Sequence, residues 1–137
     1  LELGYQRVLI LNDDVYLGKN RKEVESIIEK FYHGDVIHST KNFCSFIIST
    51  FAFQMYDGFD ENFYPAYFED KDYMYRLKIE GGYCIEDESL DPLIYRNSMT
   101  IKKDIELNNN FATNEQLYIA KWGGLPNEEK FKTPFDD

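Results

Sequence analysis

Two groups of carboxylates carry most of the chemistry open to this 137-residue sequence. One is Asn12-Asp13-Asp14, which ends an apolar run. The other is Glu69-Asp70-Lys71-Asp72, which follows Asp57-Gly58-Phe59-Asp60-Glu61-Asn62-Phe63. Adjacent carboxylates leaving a strand can hold a hard divalent cation by oxygen and leave positions open for water or phosphate oxygens. A carboxylate set among aromatic rings, here Phe63, Tyr64, Tyr67, Phe68 and Tyr73, loses solvation, which raises its pKa and suits a general base. Each group also has a plainer reading. Acids are common in turns after strands, and acids in a first helical turn complement the helix dipole. At 3.6 residues per turn Glu69 and Asp72 share a face while Asp70 points about 100° away from Glu69, so the three need not share a role.

The elements that must position these acids can be read from periodicity. Arg7-Val8-Leu9-Ile10-Leu11 is a continuous apolar run, as expected of a central strand buried on both faces of an α/β sheet. In such sheets ligands bind beyond the carboxyl ends of the strands, where Asn12-Asp13-Asp14 would project. Val24, Ile27, Ile28 and Phe31 recur at helical spacing, predicting an amphipathic helix over Asn20–Tyr32 with Asn20 as its cap. Residues 35–38 and 44–49 read as strands, and 51–56 as a short helix before the Asp57-Gly58 turn. Tyr67–Glu80 is helical in composition and stops at Gly81-Gly82. Residues 83–85 and 93–95 are candidate strands, and Ile101–Lys121 a candidate helix, with Asn108-Asn109-Asn110 a candidate break in it. The remainder, from Trp122-Gly123-Gly124 to Pro134, is expected to be irregular.

Composition bounds the rest. The length suits one domain, and 43% hydrophobic with 17% aromatic residues excludes a wholly disordered chain. A formal charge of −10 with no basic stripe disfavours binding to nucleic acid or to an anionic membrane surface. An anionic ligand among so many carboxylates would need a cation beside it. Cys44 and Cys84 have no zinc-site spacing and are expected to be buried free thiols. No apolar run reaches the roughly 18 to 20 residues that span a bilayer, and no targeting signal is visible, so the expected location is cytoplasmic.

Taken together, Leu11-Asn12-Asp13-Asp14-Val15, the strand Phe46-Ile47-Ile48-Ser49, Asp57-Gly58-Phe59-Asp60-Glu61-Asn62-Phe63 and Tyr67-Phe68-Glu69-Asp70-Lys71-Asp72 with Arg76 and Gly81 following resemble the inverting family-two glycosyltransferases of the GT-A fold. The resemblance covers roughly residues 5 to 96 and corresponds to the second half of that family's catalytic domain. It implies an α/β fold with a mixed sheet flanked by helices, the whole of 1–137 being one domain that continues an N-terminal nucleotide-binding part preceding Leu1. It also implies transfer of a hexosyl or deoxyhexosyl group from a nucleotide-sugar donor to the hydroxyl of a glycan or other acceptor, with inversion.

By the same resemblance, Asp70 is the catalytic base and Glu69 orients the acceptor or the base. Asp14 is the ligand of a divalent metal, Mn2+ or Mg2+, on the donor diphosphate. Asp13 contributes to substrate binding, with Asp72 in reserve. Two departures stand out. Asn12 replaces the first acid of the family's Asp-x-Asp motif. Residues 93–98 lack the histidine that many relatives use as a metal ligand, and Arg96 is the expected diphosphate contact instead. Trp122 is a candidate sugar-stacking residue, and equally a packing anchor beside its two glycines. A carbohydrate- or nucleotide-binding module without turnover, or an acidic calcium-stabilised domain, are the competing readings.

Overall fold

The computed structural model describes residues 6–12, 15–18, 20–30, 36–40, 43–88, 90, 94–96 and 105–137; at 36, 83, 94–96 and 105–108 it describes the backbone alone. Among these residues six strands and four α-helices follow in chain order: β1 (Arg7–Leu11), β2 (Val15–Leu17), α1 (Arg21–Lys30), β3 (Val36–Ser39), β4 (Ser45–Ser49), α2 (Thr50–Met55), α3 (Glu69–Ile79), β5 (Tyr83–Glu86), β6 (Ile94–Arg96) and α4 (Ile105–Trp122). A short 3-10 helix, Pro134–Asp136, comes last.

The fold is mixed α/β. Four strands form one sheet in the order β1-β4-β3-β5. β4 is antiparallel to both neighbours, with Ile10 opposite Phe46 and His38 opposite Ile47, while β3 and β5 are parallel. β1, β3 and β5 therefore point the same way, and their carboxyl ends share one edge of the sheet. β2 and β6 make a separate antiparallel pair in which Val15 faces Arg96.

Alternation along the strands divides the core. Phe46 and Ile48 of β4, with Val8 and Ile10 of β1, pack on Ala52, Tyr73 and Leu77 of α2 and α3. Ile47 and Leu9 turn to the opposite face, against Ile27 and Ile28 of α1. α1 is capped reciprocally: Asn20 Oδ1 accepts the Glu23 N–H at 3.2 Å and Glu23 Oε2 accepts the Asn20 N–H at 3.2 Å. α4 lies beyond α3, with Tyr118 and Trp122 packed on Phe63 and Phe68 and flanked by Tyr75 and Ile79.

Three expectations are corrected. β1 is an edge strand among the described residues, not a central one. Its side chains are only half-buried, although helices cover both of its faces. α3 begins at Glu69 rather than Tyr67, because Tyr67 and Phe68 are left-handed at φ 77° and 72°, outside helical geometry. α4 runs unbroken through Asn108-Asn109-Asn110, its packed face outweighing three residues of middling helix propensity. Cys44 is a buried thiol and Cys84 a half-buried one, neither in a disulfide.

The chain after α4 folds back on the helix end. The carbonyl of Trp122 accepts the N–H of Lys130 at 2.9 Å and of Phe131 at 3.1 Å, and Tyr75 Oη donates to the Phe131 carbonyl at 2.8 Å. This reversal requires both glycines. Gly123 has φ 75°, and a Cβ there would lie 2.9 Å from the Phe131 ring; at Gly124 it would lie 2.1 Å from the Glu128 carbonyl oxygen. Gly124→Ala is therefore expected to destabilise the fold by about 1–3 kcal/mol, read as a lower urea midpoint at unchanged slope. A midpoint equal to the parent's would show that the reversal is not tight there.

Candidate functional site

α3 presents its acids to three different surroundings. Asp72 is completely buried and takes three donors: Arg76 Nε at 2.8 Å on Oδ2, and Trp122 Nε1 at 2.8 Å and Lys121 Nζ at 2.7 Å on Oδ1. Lys121 also reaches Asp60 Oδ2 at 2.7 Å and lies over the rings of Phe63 and Trp122, at 5.6 and 5.2 Å. Arg76 spends its other donors on the carbonyls of Tyr56 and of Gly58, the latter at 2.6 Å. Two acids and two bases thus neutralise one another, binding the 56–62 loop, α3 and the end of α4 into one unit.

This arrangement bears on two expectations. Asp72, read as a substrate contact, is fully buried with its oxygens taken by protein donors, and Trp122, open between sugar stacking and packing, is fully buried, bonded to Asp72, and borders a cleft beside Arg76 and Lys121. The indole is a packing anchor. Asp60 shapes the loop: its Oδ1 accepts the N–H and the side-chain amide of Asn62 at 2.9 and 2.7 Å. Burial alone would raise the Asp60 carboxyl, but the bonds from Lys121 and Asn62 outweigh it and hold it below the ordinary value of 3.8.

Asp70 faces outward, with 31% of its side chain exposed. Its Oδ1 accepts the Lys71 N–H at 2.8 Å, and Oδ2 lies 3.6 Å from Lys71 Nζ, leaving the carboxylate open to an approaching group. Glu69 is intermediate. Its Oε2 is buried with no hydrogen-bond partner, and burial, with the neighbouring Asp70 charge, pushes its carboxyl above the ordinary value despite two backbone N–H groups. From α4, the buried Asn114 donates to the Ala66 and Tyr67 carbonyls at 2.7 and 3.2 Å, just before these acids.

The topology carries this acidic turn to the sheet edge at which β1 ends. α3 runs into β5 through Gly81-Gly82, so its end lies by the start of β5 and its start by the carboxyl ends of β1, β3 and β5. Tyr73 stacks on Phe46 with centroids 6.3 Å apart, and Phe46 is the partner of Ile10. From that level the helix advances about 4.5 Å to Asp70 and β1 about 6.6 Å to Asn12, both toward the same edge. Asn12 is exposed there, its N–H tied to the Cys44 carbonyl at 3.0 Å.

Asp13 and Asp14, the expected substrate and metal contacts, lie outside the described residues. The next residue, Val15, pairs with Arg96, so the backbone of the expected diphosphate contact is aligned with the exit of the acidic triplet; the Arg96 side chain also lies outside what is described. Among the described residues no three acidic, histidine or cysteine side chains converge as a metal centre, and no helix is long and apolar enough to cross a membrane.

A cleft of about 860 Å³ lies elsewhere, between the 57–61 loop, the second half of α3, the end of α4 and residues 132–134. Asp60, Arg76 and Lys121 line it, whereas Glu69 and Asp70 do not. Sequence reasoning passed over Lys121 and Asn114. The signal was present: Asn114, Tyr118, Lys121 and Trp122 repeat at i, i+4, i+7 and i+8, the spacing of one helix face, but two of the four are polar.

Two outcomes test this geometry. Asp72→Asn leaves Arg76 and Lys121 buried with too little negative charge and should cost about 3–5 kcal/mol in urea unfolding followed by Trp122 fluorescence. Glu69→Gln should do the opposite. The folded Glu69 carboxyl holds its proton more tightly than the unfolded chain, so its charge costs stability above the raised value and nothing below the ordinary 4.5. The variant should melt higher than the parent at pH 7 and equally at pH 3.5; no gain at pH 7 would contradict the buried placement. Asp60 has the reverse sign, its lowered carboxyl stabilising above 3.8 and losing that effect as pH falls through the lowered value. Against known proteins, the chain matches no protein-family model, no curated protein and no solved structure.

Proposed function

We propose that this chain carries the acceptor side of an inverting glycosyltransferase site of the GT-A kind. The observation that supports this most is the split within the acidic motif: Asp72 is turned inward and saturated, while Asp70 is held outward at the sheet edge where β1 ends. In this reading an Asp70 oxygen takes the proton from an acceptor hydroxyl as the hydroxyl oxygen attacks the anomeric carbon of the donor sugar, opposite the departing nucleoside diphosphate. The half-buried Glu69, beside it on the same turn, orients the acceptor or the base. The rigid mount matters, because proton abstraction needs the carboxylate within hydrogen-bond reach of the hydroxyl.

The donor diphosphate falls to the β1 exit and the β2–β6 pair. Asn12, Asp13 and Asp14 form an all-oxygen donor set, which fits Mg2+ or Mn2+, and Asp14 is the residue proposed to hold the ion. When bound, such an ion supplies positive charge for the diphosphate. Arg96 supplies a fork of N–H donors to the same oxygens.

Asp70→Asn keeps the shape of the side chain and removes its basicity. Assayed against a panel of nucleotide-sugars with Mn2+, turnover should fall roughly 10²- to 10⁴-fold while donor affinity is kept. Undiminished transfer would remove Asp70 from the role of base. A carbohydrate- or nucleotide-binding module without turnover is the second reading, favoured by the position of the 860 Å³ cleft away from Asp70. The donor reading also expects nucleoside diphosphate and Mn2+ together to raise the melting temperature more than the sum of each alone; strictly additive shifts would count against a shared site.

A further inference from the structure

On the packed face of α4, Tyr118 is tied to Glu129 of the returning chain, and Lys121 and Trp122 to Asp72. Asn114, one turn before Tyr118, reaches a different place. Its side-chain amide donates to two successive carbonyls, Ala66 at 2.7 Å and Tyr67 at 3.2 Å, and the residue is 2% exposed. Those carbonyls flank Tyr67, the first of two consecutive left-handed aromatic residues, Tyr67 and Phe68. Neither is a glycine, so each pays a steric cost for its φ and stays there only if the surroundings hold it. Phe111 packs against both rings, at 5.3 and 5.2 Å, and the Glu69 carboxylate accepts the Tyr67 N–H, while Asn114 takes the carbonyls on either side of the Tyr67 Cα.

We infer that Asn114 is a positioning residue for the Glu69–Asp70 pair: by gripping the Ala66 and Tyr67 carbonyls it keeps Tyr67 and Phe68 left-handed, and so sets the direction in which α3 presents Asp70. The helix hydrogen bonds begin immediately after this grip, with the Asp72 N–H donating to the Phe68 carbonyl at 2.8 Å. A relaxation of Tyr67 or Phe68 to negative φ would rotate the first turn. Asp72 could not follow, being fastened by three donors, so the change would fall on Glu69 and Asp70. The catalytic part of this inference rests on Asp70 being the base; the conformational part does not.

The test compares Asn114→Ala and Asn114→Asp with Leu117→Ala, a truncation on the same helix that packs against the cluster of Phe63, Phe68, Tyr118 and Trp122 and has no donor for either carbonyl. Amide hydrogen exchange and steady-state kinetics are measured on each variant in the protein. In Asn114→Ala, exchange at residues 69–71 should rise at least ten-fold while that of 118–122 is unchanged. Turnover should fall at least ten-fold with the donor KM within two-fold. Leu117→Ala should lower the melting temperature without either change. Asn114→Asp keeps the side-chain shape but can donate only when protonated, so its exchange should match that of Asn114→Ala at pH 8 and fall below it at pH 3.5, under the ordinary aspartate value of about 3.9. Unchanged exchange at 69–71, or faster exchange with turnover intact, overturns the inference. If the parent turns over no nucleotide-sugar, the reading of Asp70 as base is what fails, and the exchange data alone decide whether Asn114 sets this turn.

Discussion

The arrangement depends on a buried carboxylate that cannot be left alone. Asp72 is out of contact with water and is tolerable only because Lys121, Arg76 and Trp122 meet it with donors. Each donor arrives from somewhere that must then be in place. Lys121 and Trp122 bring the end of α4, and Arg76 brings the carbonyls of Tyr56 and Gly58, which fix the loop after α2. Lys121 returns to Asp60 and closes the circuit. A network of this kind adds little net stability over an apolar core of equal volume, but it admits few alternative geometries. Its contribution is to register three segments against one another.

That registration gives the acidic motif its meaning. Three carboxylates within four residues look equivalent in a sequence, yet here they are sorted by direction. Asp72 faces α4 and is consumed. Glu69 lies half-way, with one oxygen lacking a partner. Asp70 faces out at the edge where β1 ends. The sorting comes from helical geometry plus one fastened member: once Asp72 is fixed, a turn of 3.6 residues leaves Asp70 nowhere else to point.

Much of the scaffold was legible in the residues. Apolar patterning and turn signals marked every described strand and helix except β2 to within a few residues, and Asn20 announced itself as a cap. What escaped has a physical reason in each case. The apolar run of β1 reports that its two faces are covered, and says nothing about its edges, so its position in the sheet was misjudged. β2 is three residues long and carries no period of its own. The start of α3 was misplaced because two aromatic residues take a left-handed conformation imposed from α4, which no local preference foretells. Asp72 was misread, and the choice at Trp122 between stacking and packing stayed open, for the same reason: burial of an acid is decided by partners about fifty residues away, visible only once α4 is docked.

The four-charge circuit also bears on how such a sequence can change over generations. No member can be altered singly without stranding a buried charge, so drift at Asp60, Asp72, Arg76 or Lys121 must pass through an unfavourable intermediate or be concerted. The surface around them is under no such restraint. Descendants of this chain should therefore diverge freely over most of their length while keeping these four positions as a set, and a covarying quartet would outlast any overall similarity by which relatives are ordinarily found.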